Sequence, residues 1–155
     1  MNSSAGVPIL KSNRFLLPPT TSWDVRIAEE QKTIEKPLVV VVDDDESVRE
    51  SLPDLLKEFG FSVLAFASGQ EFLKSSGIDR ASCLVLDVAM PGMTGPDVHD
   101  ELKRRGLEIP VIFITGLKDE SIRKRALQQG AVDTLSKPFS DTSLRDALSR
   151  AIPNS

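Results

Sequence analysis

Residues 38–42 read Leu-Val-Val-Val-Val, and Asp43, Asp44, Asp45 and Glu46 follow at once. Five aliphatic residues in a row leave no polar face. Such a strand is buried on both sides, which places it inside a parallel sheet with helices on each face. Further strand-like runs lie at 61–66, 83–86, 111–114 and 132–135. Between them apolar residues recur at helical spacing. Val48, Leu52, Leu55, Leu56 and Phe59 form the first set, closed by Gly60. Ser68-Gly69-Gln70-Glu71 reads as a capping box before Phe72 and Leu73. Val98 and Leu102 lead to Gly106; Ile122, Ala126 and Leu127, capped by Asp119, lead to Gly130; Leu144, Leu148 and Ile152 follow a Ser140 cap. Strands alternating with helices in this way predict an α/β fold, a doubly wound five-stranded parallel sheet with helices on both faces. Pro53 falls two turns inside the first helix, opposite the Arg49 carbonyl, and predicts a kink there.

Composition removes several function classes. The net charge of −4 argues against a basic face for nucleic acid. A single cysteine, Cys83, rules out an intrachain disulfide and a multi-cysteine zinc site. A single histidine, His99, rules out paired-histidine metal sites. No stretch approaches the roughly 18 apolar residues that suggest a membrane span. Residues 1–35 differ from the rest: four basic and four acidic residues cancel, and no helical or strand period is sustained. They read as a flexible N-terminal extension with two apolar islands, Phe15-Leu16-Leu17 and Trp23 with Val25 and Ile27, and a weak helical lead-in over 28–36. Residues 36–155 form the folded domain.

What chemistry remains rests on carboxylates, hydroxyls and lysine. In such sheets ligands bind beyond the carboxyl ends of the strands. Asp43 and Asp44 follow the first strand, Asp87 the third, Thr115 the fourth and Lys137 the fifth. With strand order 2-1-3-4-5 the first and third strands are neighbours, so the three aspartates converge with Thr115 and Lys137 to one side. Converging carboxylates repel unless a cation neutralises them. An all-oxygen site with few protein ligands suits Mg²⁺, which keeps waters and binds phosphate oxygens. A carboxylate beside that ion can attack phosphorus and form an aspartyl phosphate. Bland readings suit other residues: Asp45 as a helix cap, Cys83 as a core thiol, His99 on a solvated helix face, Met90 and Met93 as packing, and Arg123-Lys124-Arg125 as a solvated or partner-facing basic patch.

Four segments in order, Val42-Asp43-Asp44-Asp45-Glu46, Leu86-Asp87-Val88-Ala89-Met90-Pro91-Gly92-Met93-Thr94-Gly95, Phe113-Ile114-Thr115-Gly116 and Ser136-Lys137-Pro138-Phe139, resemble the receiver domain of two-component response regulators. The Asp-Asp-Asp-Glu run and Gly130-Ala131-Val132-Asp133 are most similar to receivers of nitrogen-fixation and nodulation regulators. The resemblance implies a flavodoxin-like receiver fold. It implies Asp87 as phosphoacceptor, with Thr115 and Lys137 on the phosphoryl group. Asp43, Asp44, Asp87 and the Ala89 carbonyl become the Mg²⁺ site, and the bond before Pro138 becomes cis. It further implies a cytoplasmic phosphoprotein that signals without being an enzyme, charged by a sensor histidine kinase and contacting a protein partner through the surface from Ile122 to Ala151. Neither direct nucleic-acid binding nor membrane association is expected. One departure concerns Thr134, where the family carries an aromatic switch residue. The resemblance also places Ala89 and Leu117 beside the path of a hydrolysing water, to which neither side chain offers a hydrogen bond, and so implies slow self-dephosphorylation.

Two alternatives stay open on sequence. Asp43-x-Asp45 also fits a haloacid-dehalogenase-like phosphatase, with Asp43 as nucleophile and Asp45 as acid. The chain reads as a stand-alone receiver, the alternative being a receiver fragment of a longer DNA-binding transcription regulator.

Overall fold

The computed structural model describes residues 35–116 and 120–153. The readings made for residues 1–34, for Leu117 and for the Asp119 cap lie outside these residues. The order of elements is β1 (Leu38–Val42), α1 (Glu46–Glu58), β2 (Ser62–Phe66), α2 (Gly69–Leu73), α3 (Gly77–Arg80), β3 (Cys83–Asp87), α4 (Gly95–Arg104), β4 (Val111–Thr115), α5 (Glu120–Gln128), β5 (Asp133–Ser136) and α6 (Asp141–Ala151). The strands form one parallel sheet in the order β2-β1-β3-β4-β5. This is the doubly wound arrangement the alternating pattern predicts.

Burial explains the unbroken apolar runs. Every residue of β1, β3 and β4 is buried. Side chains alternate across the sheet, so each strand feeds two cores. Val40, Val42, Leu84, Leu86 and Phe113 pack on one face with Phe72, Val98, Leu102 and Ala126. Val39, Val41, Val85, Ile112 and Ile114 pack on the other with Leu52, Leu56, Leu144 and Leu148. Thus α1 and α6 cover one face, and helices from α2 to α5 cover the other.

Local signals set the helix ends. Asp45 is the N-cap of α1, accepting from the Ser47 backbone N–H, and Ser140 accepts likewise from Ser143. Thr94 and Asp97 form a reciprocal capping box at α4. Ser68 accepts from the Glu71 N–H, while its hydroxyl lies 3.4 Å from Glu71 Oε2. Gly60 closes α1 at φ +100°, a conformation that needs no Cβ. Helix α1 runs through Pro53, whose missing N–H leaves the Arg49 carbonyl without its intrahelical donor.

Two features differ from expectation. Helix α3, Gly77–Arg80, is additional to the helices that the apolar spacing marks; one turn of four residues is too short to show a period. His99 is not on a solvated face: it is 6% exposed, edge-on to Phe113 with ring centroids 5.7 Å apart. Lying one position after Val98, it falls within the broad apolar stripe of α4 rather than beyond it. Burial first, then the Lys103 charge, lowers its pKa and favours the neutral ring.

Candidate phosphoryl and metal site

Strand register assembles the site. Val42 pairs with Leu86, so Asp43 and Asp87 emerge side by side at the carboxyl edge of β1 and β3. Asp87 pairs with Ile114 and Thr115 with Ser136, which brings in the ends of β4 and β5. The Lys137 N–H donates to the Thr115 carbonyl at 2.7 Å, tying the last two strand ends together. The Lys137–Pro138 bond is cis.

Carboxylate oxygens of Asp43, Asp44 and Asp87 lie within 4.8 Å of one another. Their surroundings differ. Asp43 is fully buried and Asp87 is 5% exposed, whereas Asp44 faces solvent. Lys137 Nζ donates to Asp43 Oδ2 at 2.8 Å and stands 3.8 Å from Asp87 Oδ2. Asp43 Oδ1 accepts from the Asp45 N–H at 2.9 Å, and Asp87 Oδ1 from the Ala89 N–H at 3.4 Å. Both Asp43 oxygens are therefore engaged, which does not suit the phosphatase reading of Asp43 as a free nucleophile. Asp45, the acid of that reading, is occupied as a cap.

Electrostatics divides the groups. Burial, the Asp43 charge and the contact with Asp43 push the Asp87 carboxyl up to about 7, against the pull of Lys137 and the Ala89 N–H. Burial works against the Lys137 ammonium, but its hydrogen bond to Asp43 and the charges of Asp43, Asp87 and Asp45 outweigh it, and its pKa is raised. Crowded carboxylates with one exposed member and no nitrogen or sulfur donor fit a hard, oxygen-preferring divalent cation.

Gly95 explains the small residue ending the β3–α4 loop. A Cβ there would fall 2.4 Å from the Asp87 carbonyl oxygen, and the Gly95 N–H donates to the Val88 carbonyl at 3.0 Å. Thr115 is buried at the β4 end, 2% exposed. Beyond it, a cavity of about 550 Å³ is lined by Thr115, Arg123, Thr134, Ser136 and Phe139, among others. The buried Thr134 hydroxyl has no hydrogen-bond partner among the described residues.

Two contacts escape the sequence reading. Arg49 Nη1 donates to the Asp43 carbonyl at 2.9 Å. Asp133 accepts from Arg123 Nη1 at 2.8 Å, from Arg150 and from the Thr134 N–H, clasping α5 and α6 across the edge strand. Arg123 is thus more than part of a solvated patch. No sequence motif announces either contact, because each depends on how a helix is seated against its strand. Cys83 matches its bland reading, since burial pushes the thiol up to about 12.

A model of the response regulator receiver domain matches residues 39–149. Nodulation protein W of Bradyrhizobium diazoefficiens is 50% identical over 113 residues, 73% of this chain and 50% of that protein. The transcriptional regulatory protein FixJ of Azorhizobium caulinodans is 40% identical over 118 residues, 76% of this chain and 56% of that protein. The crystal structure of a response regulator receiver protein from Burkholderia phymatum superimposes with a TM-score of 0.67 at 40% identity, covering 76% of this chain and 96% of that one. The chain spans about half the length of the curated relatives it matches.

Proposed function

Because this chain belongs to the response regulator receiver domain family, we propose that its acidic pocket takes a phosphoryl group on Asp87. The donor is the phosphohistidine of a sensor histidine kinase. The observation that carries this reading is the meeting of Asp43, Asp44 and Asp87 oxygens within 4.8 Å, beside the Lys137 ammonium. One Asp87 carboxylate oxygen forms the new O–P bond as the P–N bond breaks. The electron pair returns to the histidine ring, which takes up a proton. Lys137 pairs with the transferred group, and the Thr115 hydroxyl hydrogen-bonds it. Asp43, Asp44, Asp87 and the Ala89 carbonyl would hold Mg²⁺, which would supply the positive charge that offsets the carboxylates and the phosphoryl oxygens. Lys137, already paired with Asp43, is poised to turn toward the new charge on Asp87.

The module is a signalling domain rather than an enzyme with turnover. Residues 36–155 are the receiver and 1–35 an extension. Among the described residues no helix is long and apolar enough to cross a membrane, and we place the protein in the cytoplasm. Output runs through protein contacts on the surface from Ile122 to Ala151. A second reading, in which the receiver serves a longer DNA-binding regulator, is favoured by its relatives, transcriptional regulators among them and about half spanned.

The test is incubation with a small phosphoryl donor and Mg²⁺, followed by intact mass. The native chain should gain one phosphoryl group, and Asp87→Asn should gain none. Equal labelling of the variant would overturn the assignment.

A further inference from the structure

Arg49 stands outside the pocket yet is tied to it. Its guanidinium donates to the Asp43 carbonyl at 2.9 Å. That carbonyl belongs to the peptide joining Asp43 to Asp44, so its direction sets where the Asp44 side chain starts. This matters because the three carboxylates are restrained unequally. Asp43 is held by Lys137 and the Asp45 N–H, and Asp87 by the Ala89 N–H. Among the described residues nothing donates to the exposed Asp44 carboxylate, which is therefore placed by its backbone alone. The backbone there passes through four successive acids, 43–46, whose repulsion favours splaying. Arg49 reaches back from the first turns of α1, an element fixed in turn by the Asp45 cap.

We infer that Arg49 is a positioning residue of the metal site: by anchoring the Asp43 carbonyl it presents the Asp44 carboxylate to the divalent cation, touching neither cation nor phosphoryl group. The inference rests on the reading of the pocket as a Mg²⁺ site, and it has a definite sign. As a charge, Arg49 repels a cation, so its removal would tighten Mg²⁺ binding. As an anchor, its removal loosens Asp44 and weakens binding, by about tenfold or more if it acts like other groups that orient metal ligands.

The experiment uses the full chain as native protein, Arg49→Met, Arg49→Lys and Asp44→Ala. Mg²⁺ is titrated against the thermal midpoint, and amide exchange of Asp44 and Asp45 is followed in metal-free protein. Arg49→Met should weaken Mg²⁺ about tenfold and speed exchange at both amides. Arg49→Lys, which keeps a donor on a long stem, should recover most of each. A general loss of stability lowers the midpoint equally at zero and saturating Mg²⁺ and leaves the dissociation constant alone. That result, or tighter binding in Arg49→Met, overturns the inference. If the native chain ignores Mg²⁺, the metal reading itself fails, and native-like exchange in Arg49→Met then sinks the anchor as well.

Discussion

Asp87, buried beside Asp43, carries an electrostatic cost, and that cost has a pH signature. Its carboxyl sits at about 7 in the folded chain against an ordinary 3.8, through burial and the neighbouring Asp43. A raised acid favours folding where it is protonated. Its contribution is fully present below pH ~4 and is lost as pH rises through about 7. In metal-free protein, Asp87→Asn should therefore be more stable than native at pH 8, with the difference shrinking toward pH 4. Urea midpoints across that range measure it, and a variant less stable than native at pH 8 would contradict it. A second consequence concerns Ala89, whose N–H bonds Asp87 while its methyl offers a water nothing. Ala89→Asn should shorten the lifetime of the aspartyl phosphate severalfold, followed by decay of the phosphorylated mass; an unchanged decay removes Ala89 from that role. The strand-end placement of Asp87 and Thr115 was legible in sequence because each ends an apolar run, and that of Lys137 because it follows the last strand-like segment. His99 was not, because a histidine beside Val98 on a helix has no mark separating a wet face from a buried one.

At the scale of elements, the β3–α4 connection is the tightest joint near the pocket. Gly95→Ala would put a methyl 2.4 Å from the Asp87 carbonyl. The strand end or the helix must shift, at a cost of about 1–3 kcal/mol. Denaturant midpoints should show that loss, and phosphorylation should slow with it; a stable and fully active variant would mean the joint yields freely. The Asp133 clasp joins three elements, and its two arginines are partly exposed, 43% for Arg123 and 53% for Arg150. Solvent screening discounts the pairs, but Asp133→Ala also strips the Thr134 N–H of its acceptor, so a loss of about 1–3 kcal/mol is expected. Equal stability would show the clasp to be decorative. Strands β1, β3 and β4 were legible because burial on both faces demands continuous apolar sequence. Helix α3 was not, because a single turn carries no period. The clasp was not, because residues 123, 133 and 150 meet only once α5 and α6 have packed beside β5.

For the molecule as a whole, cation binding and folding are linked. Mg²⁺ in hundredfold excess over its dissociation constant should stabilise the native chain by ~2.7 kcal/mol, seen as a rise in thermal midpoint. Asp44→Ala should abolish the rise, and a native midpoint indifferent to Mg²⁺ would count against the site. Signal transmission forms a separate expectation. With Thr134 in place of a ring, phosphorylation should alter amide exchange around residues 126–134 only weakly; strong protection changes there would show a different coupling route. The strand order was readable because crossovers in a parallel sheet leave few topologies, whereas the cavity beside Thr134 depends on how side chains fill space. The acids lie at the carboxyl ends of β1 and β3, strands shut in on both faces. Segments that deep open only when the entire domain unfolds. The pocket thus sits at the ends of two deeply buried strands: if Asp87 is phosphorylated as proposed, that mark lasts as long as the acyl phosphate, but the strands beneath it are poorly placed to pass it on. On the proposed reading, broadcasting would fall to the loops and outer helices, so such a receiver could change its audience without disturbing its memory.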